Sequence, residues 1–282
     1  MKLVLQIASF KINIVPKRHI PKHSAEYFQD IASRFGSTDT ESPVDFSLTV
    51  SGLDAVEMPK NTVGLRYGIV SAESEGRLFL ENEHCRNCLD PGKKELRVAF
   101  KSPEHEKADR IFMSQLRYLV SYLTIESGGI PLHCTAAARN GKAAVLYGPS
   151  QSGKSTIAGI LKPDWRIFND EYNVVLPENG VYRVYATPFT NPETLKSCEN
   201  GDSVVNNLYY IVKSRGRVVA EQMRFRDKYL SVLQSMYITA TSQLQAELLM
   251  NNALALCTQC RIERLYFAKS PRVSDYLINH NT

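Results

Sequence analysis

The sequence predicts an α/β (α+β) fold, in which a phosphate-loop domain on a mixed sheet follows a smaller β-rich N-terminal domain. Three observations predict it. Residues 148–156 read Gly-Pro-Ser-Gln-Ser-Gly-Lys-Ser-Thr. This is a G-x-x-x-x-G-K-S/T pattern lying between the apolar run Lys142–Tyr147 and the helix-like stretch Ile157–Leu161, the strand–loop–helix context the pattern requires. From residue 130 onward, strand-like and helix-like stretches alternate, as in an α/β core. Up to Lys101, short runs of period two are separated by Gly, Pro, Ser and Asn clusters, which read as strands and turns.

Composition bounds the function. The 282 residues are 43% hydrophobic and 22% charged, the profile of an ordinary globular protein with a buried core that needs no disulfides. The formal net charge of +5 is carried by scattered residues, enough to favour phosphate-bearing ligands. Dense interleaving of basic and aromatic residues is missing, so nucleic acid is not an expected partner. No window holds the 18 to 20 apolar residues of a membrane span. The N-terminal stretch Met1–Phe10 continues into the alternating Lys11–Val15 without an A-x-A-like cleavage site, and reads as a strand rather than a leader. Cytoplasmic residence is the expectation. Six cysteines include the C-x-x-C pairs Cys85/Cys88 and Cys257/Cys260, which could form a tetrahedral zinc site if the fold joined them. Cys257, however, continues the apolar helical pattern of Leu248, Leu249, Ala253 and Leu256, where cysteine serves as a small hydrophobe.

In chain order, the expected strands of the N-terminal domain, residues 1–102, are Lys2–Val15, Asp45–Ser51, Thr62–Val70, Arg77–Leu80 and Glu95–Phe100. Residues 103–129 are expected to connect the domains by a helix over Glu104–Glu126. There Ile111, Leu116, Leu119, Val120 and Leu123 recur at helical spacing before the stop Gly128-Gly129; His105 falls at its polar start. The catalytic domain, residues 130–282, opens with the strand Ile130–Ala138. Arg139-Asn140-Gly141 makes a hairpin turn, so the strand entering the loop should run antiparallel to its predecessor. After the loop helix come strands at Ile167–Phe168, Val174–Leu176, Gly180–Ala186 and Leu208–Val212. Helices over Lys228–Tyr237 and Ser242–Cys257, a strand over Arg261–Phe267 and a polar tail complete the chain.

Chemistry concentrates at three places. The backbone N–H groups of Gly148, Pro149, Ser150, Gln151, Ser152, Gly153, Lys154, Ser155 and Thr156 (proline excepted) can wrap an anion at a helix N-terminus. Lys154 would reach the β- and γ-phosphates of ATP, and the Ser155 hydroxyl would take one place on Mg²⁺. Asn169-Asp170-Glu171, between two apolar runs, supplies adjacent acids where phosphoryl transfer needs a metal partner or a base. His133, on the strand before the hairpin, is a candidate, although a lone histidine on a strand is usually structural.

Leu132-His133, the loop and Asn169-Asp170-Glu171 together resemble the catalytic domain of the HPr kinase/phosphorylase family over roughly Gly128–Phe267. The resemblance implies a kinase moving the γ-phosphoryl of ATP to a serine or other hydroxyl of a protein, peptide or small molecule. It assigns Asp170 as general base, His133 as its support, Lys154 as charge neutraliser, and Ser155, Asp170 and Glu171 to Mg²⁺; it also suggests a homo-oligomer. The sequence departs from the family in having Thr156 where the family carries an acid and Glu171 in place of a second aspartate. The family's basic, glycine-rich segment downstream is also missing, so the chain reads as a diverged kinase relative. Two alternatives stay open. One is a nucleotide-dependent ATPase or switch, with the loop Thr187–Glu193 sensing the γ-phosphate and the N-terminal region binding a partner. The other is a relative of ATP-dependent carboxykinases, with Arg224 and Arg226 as carboxylate contacts.

Overall fold

A computed structural model describes residues 3–16, 22–39, 41–51, 53–65, 68–101, 108–190, 200–237 and 242–280. The chain divides into two compact units, Met1–Tyr122 with Thr239–Ala246, and Leu123–Ile238 with Glu247–Thr282.

The first unit carries strands β1 (Leu3–Ile7), β2 (Phe10–Pro16), β3 (Phe46–Ser51), β4 (Val63–Gly64), β5 (Val70–Ser74), β6 (Arg77–Glu81), β7 (Cys85–Asp90) and β8 (Glu95–Phe100), with helix α1 (Lys22–Phe35) after β2. They form an eight-stranded sheet of order β1-β2-β3-β8-β7-β6-β5-β4. The β2–β3 and β3–β8 pairs are parallel and the remainder antiparallel. Several expectations change here. The single strand expected over Lys2–Val15 is a hairpin, because Ala8 turns into the left-handed region at φ 54°. Helix α1 stands where no element was expected, and β7 runs through the first cysteine pair. The strand expected over Thr62–Val70 resolves into β4 and the start of β5. Helix α2 (Ala108–Glu126) occupies the expected connector; His105 and the expected first turn lie outside the described residues.

The second unit begins with β9 (Ile130–Leu132), β10 (Cys134–Arg139), β11 (Lys142–Tyr147) and α3 (Lys154–Leu161). There follow β12 (Arg166–Ile167), β13 (Asn173–Glu178), β14 (Val181–Tyr185), β15 (Asp202–Lys213) and β16 (Val219–Gln222), then α4 (Phe225–Ser235), α5 (Gln243–Gln259), β17 (Ile262–Phe267) and α6 (Arg272–His280). The sheet is mixed, in the order β12-β10-β11-β15-β14-β13-β9, with β17 paired to β15 and β16 to β17. The expected hairpin is present: β10 and β11 are antiparallel in register Ala137↔Ala144. β11 then runs parallel to β15, and β15 parallel to β17. The stretch expected as the single strand Ile130–Ala138 is broken at His133 into β9 and β10, which lie at or near opposite ends of the strand path. One residue therefore joins the two margins of the sheet.

One face of this sheet is sealed by α3 and α6. Ile157 and Leu161 of α3 and Val273 and Leu277 of α6 pack with Ala137, Ala144, Leu146, Tyr209, Ile211, Leu265 and Phe267. Fully burying side chains such as Ile157 and Leu161 contributes about 1.5–3 kcal/mol each, which fixes α3 and hence the loop it continues. Helix α6 lies in what reads from sequence as a polar tail; its buried apolar residues Val273 and Leu277 stand one helical turn apart, with Tyr276 and Ile278 partly buried beside them. Among the described residues no helix is long and apolar enough to cross a membrane.

Candidate functional site

The loop between β11 and α3 is built by two glycines and a buried strand. Ala143–Tyr147 are wholly buried between β10 and β15, so the chain leaves the sheet at a fixed point. Gly148 takes φ 156°, and a Cβ there would lie 3.2 Å from Ser152 Oγ and 3.4 Å from the Ile211 carbonyl. Gly153 takes φ 104°, and a Cβ there would meet Phe267 Cζ at 2.7 Å. A side chain at Gly153 is thus excluded by both backbone and space. Between them the Ser152 amide donates to the Pro149 carbonyl at 3.1 Å, and Gln151 is held at φ 63°, a conformation costing a non-glycine residue about 1 kcal/mol or more. Pro149, Ser150, Gln151 and Ser155 are exposed; Ser152 and Thr156 are half-buried.

Gly153 is the N-cap of α3, and no side chain caps the helix. The first-turn amides and the positive end of the helix dipole are turned to the loop. Lys154 is buried, and its ammonium donates to the carbonyls of Gly148 at 2.9 Å and Pro149 at 3.1 Å. The loop is therefore wrapped around its own lysine.

The acidic turn is placed by two asparagines. Asn169 is fully buried. Its amide nitrogen donates to the Thr187 carbonyl at 3.0 Å, and its side-chain oxygen accepts the amides of Glu171 at 2.8 Å and Tyr172 at 3.4 Å. Asn173, also fully buried, donates to the carbonyls of Cys134 at 2.9 Å and Asn169 at 3.0 Å. Ala136 and Phe168–Asn169 exchange backbone hydrogen bonds. Asp170 is thereby pinned beside the start of β10, and its Oδ1 is buried without a hydrogen-bond partner. Glu171, next to it, is half-buried.

His133 sits at the break between β9 and β10. The end of α4 holds it: the His133 amide donates to the Ser235 carbonyl at 2.8 Å, and the Tyr237 amide donates to the Pro131 carbonyl at 3.1 Å. Its ring lies 5.6 Å from that of Tyr237, which is 4.9 Å from Tyr172, itself edge-on to Phe189 at 5.2 Å. Aromatic packing thus runs from the histidine to the residue after Glu171.

Electrostatics ties these parts together. Burial lowers the His133 pKa below its ordinary value, the Lys154 charge lowers it further, and Asp170 opposes both. Burial likewise lowers Lys154, against the pull of Asp170. Cys134 is pushed up to about 12 by complete burial, so it stays a thiol. The fold therefore brings His133, Lys154 and Asp170 within mutual electrostatic reach. Ser155 stands exposed on the first turn of α3, and Glu171 follows Asp170 on the turn. Among the described residues no three His, Cys, Asp or Glu side chains gather into a metal-binding cluster. A Mg²⁺ shared by a hydroxyl, one or two carboxylates and phosphate requires no such cluster.

The other candidates resolve differently. Cys85, Cys88 and Cys257 are buried, and burial raises the thiols of Cys85 and Cys257 to about 11 and that of Cys260 to about 12. Arg224 precedes α4 as its N-cap and Arg226 lies in its first turn, both exposed. Of the proposed sensing loop, Thr187 and Phe189 bind Asn169, whereas residues 191–193 lie outside the described residues. Sequence reasoning gives Asn169 and Asn173 no role as anchors and names Tyr237 only as the end of a helix. The only signal for the first was an asparagine immediately before the acid, a residue type whose side chain commonly holds the amide two positions on.

Residues 99–254 match the family model described as SynChlorMet cassette protein ScmC. The match takes in more than half of the chain and every residue of the site, and the chain belongs to this family. No curated protein matches it. Among solved structures, the Hpr(Ser) kinase/phosphatase from Coxiella burnetii is similar at 10% identity with a TM-score of 0.31, over 53% of this chain and 89% of that one.

Proposed function

We propose that this ScmC-family protein is an ATP-dependent kinase that transfers the γ-phosphoryl group to a hydroxyl of a protein, peptide or small molecule. The observation that supports the reading is a glycine-framed loop whose buried Lys154 lies within electrostatic reach of Asp170, a carboxylate whose Oδ1 is buried without a hydrogen-bond partner. An unpaired buried carboxylate oxygen is costly. A hydrogen bond from an acceptor hydroxyl, or coordination to a cation, would satisfy it.

In the proposed reaction the acceptor O–H gives its proton to Asp170 as the acceptor oxygen forms a bond to the γ-phosphorus. The bond from that phosphorus to the bridging oxygen breaks, and its electron pair leaves with ADP. Lys154 and the α3 amides stabilise charge on the phosphate oxygens. His133, kept neutral by burial and by Lys154, can donate an N–H toward Asp170 or the phosphate without adding a second cation. The donor set of Ser155, Asp170 and Glu171 suits Mg²⁺, a hard cation that takes oxygen ligands and keeps water. Bound there, the ion would supply charge neutralisation of the phosphates. Catalysis otherwise consists of positioning, for which the Asn169 and Asn173 anchors supply the rigidity.

Calorimetric titration with Mg·ATP tests the nucleotide half of this reading. Wild type and Asp170→Asn should bind, and Lys154→Met should lose at least about tenfold in affinity, the loss of a charge-assisted contact. Wild-type protein that binds no nucleotide would refute the reading.

A further inference from the structure

Lys213 closes β15, the strand beside the one that delivers the loop. β15 runs parallel to β11 with Tyr210 opposite Tyr147, so the residue three places past Tyr210 lies alongside the segment that follows Tyr147. A Cβ on Gly153 would come within 3.2 Å of Lys213 Cε. The last methylene of the side chain therefore rests against the glycine that opens α3. The ammonium is one bond further out on an exposed residue, and among the described residues no hydrogen bond or ion pair holds it.

From this placement we propose that Lys213 is a second phosphate-binding lysine, whose ammonium donates to a phosphate oxygen of a polyphosphate held by the 148–156 loop. The proposal rests on the nucleotide reading given above and assigns a residue that the motif does not contain. The two lysines have different work. Lys154 is buried and spends two hydrogen bonds on loop carbonyls, so it shapes the loop as well as meeting the anion. Lys213 approaches over Gly153 from the neighbouring strand and spends nothing on the protein. Its register partner Phe267 fills the space on the same glycine, with Cζ 2.7 Å from the Cβ position. Any side chain at Gly153 would displace the ring and the lysine together. The ligand chemistry is that of a phosphate chain, so base and ribose contribute nothing to this contact.

The test is calorimetric binding of Mg·ATP and, separately, of inorganic tripolyphosphate with Mg²⁺ to wild type, Lys213→Met, Lys213→Arg and Arg215→Met. Lys213→Met should weaken both ligands roughly tenfold, as expected for loss of one charge-assisted hydrogen bond. Lys213→Arg should stay within about threefold of wild type, since either cation can serve a phosphate. Arg215→Met, an exposed charge on the turn that follows, should bind as wild type. Wild-type binding that Lys213→Met leaves within about twofold would overturn the role of Lys213 alone, and so would an equal loss in Arg215→Met, which signals a diffuse field. A wild type that binds neither ligand would overturn the nucleotide reading with it.

Discussion

At the scale of single residues, the site is held by side chains that spend their polar atoms on backbone. Asn169 ties the acidic turn to Thr187, whose hydroxyl also donates to the Tyr172 carbonyl, and closes the turn onto Glu171 and Tyr172. Asn169→Ala would leave buried amides and a buried carbonyl unpaired, and should cost about 1–3 kcal/mol on denaturant unfolding. Asn169→Asp keeps the acceptor for Glu171 and loses the donor to Thr187, so it should recover only part of that loss. A loss below half a kilocalorie in Asn169→Ala would mean the turn stands without it.

His133 offers a second test at this scale, since the signs of its neighbours' influence are known. Its imidazole should titrate below the ordinary 6.5 by NMR. Lys154→Met should raise that pKa and Asp170→Asn should lower it. Failure of either variant to move the resonance in its stated direction would show that the three groups do not share a site. Because the folded-state pKa is depressed, protonation favours the unfolded chain. The associated stability is complete above pH 6.5 and is lost as pH falls through the folded-state value. The loop lysine could be read from sequence as a candidate because motif chemistry names its residues by type and spacing, and the two acids because they sit between two apolar runs shortly after the loop. Tyr237 could not, since its proximity to His133 depends on α4 ending against β9, a contact between positions far apart in the chain.

At the scale of elements, α3 is the part whose stability can be changed without touching the loop. Gly159 faces solvent in the helix, and a Cβ there meets nothing within 4 Å. Gly159→Ala should stabilise the protein by up to about 1 kcal/mol through helix propensity, seen as a raised thermal midpoint. Gly153→Ala carries the opposite expectation, a destabilisation with loss of nucleotide binding, because the new methyl would collide with Phe267. The hairpin β10–β11 and the strand–loop–helix unit were legible because Asn140-Gly141 and the glycine pattern fix local geometry. The break of β9 from β10 at His133 was not, because both halves are apolar and β-compatible. Only their separate pairing with β13 and β11 distinguishes them. Helix α1 was missed for a related reason: its apolar residues Ile31 and Phe35 repeat at helical spacing, but the polar Lys22–Ser24 stretch that opens it reads as loop.

At the scale of the whole molecule, every residue of the proposed chemistry lies in the unit formed by Leu123–Ile238 and Glu247–Thr282, and within residues 99–254, which the family model matches. A ligand bound only by the folded state adds stability by mass action, about 2.7 kcal/mol at a hundredfold excess over its dissociation constant. At that ligand concentration Mg·ATP should therefore raise the thermal midpoint of wild type, and that of Lys154→Met by about half as much or less. The central claim is that Asp170 and the loop act together to move a phosphoryl group. Its most direct test is transfer of γ-labelled phosphate from Mg·ATP into a size-fractionated extract of the source cells, comparing wild type with Asp170→Asn. Label entering a discrete protein, peptide or metabolite with wild type, and absent with Asp170→Asn although nucleotide still binds, is the predicted result. Label released only as free phosphate, or transferred equally by Asp170→Asn, would contradict it.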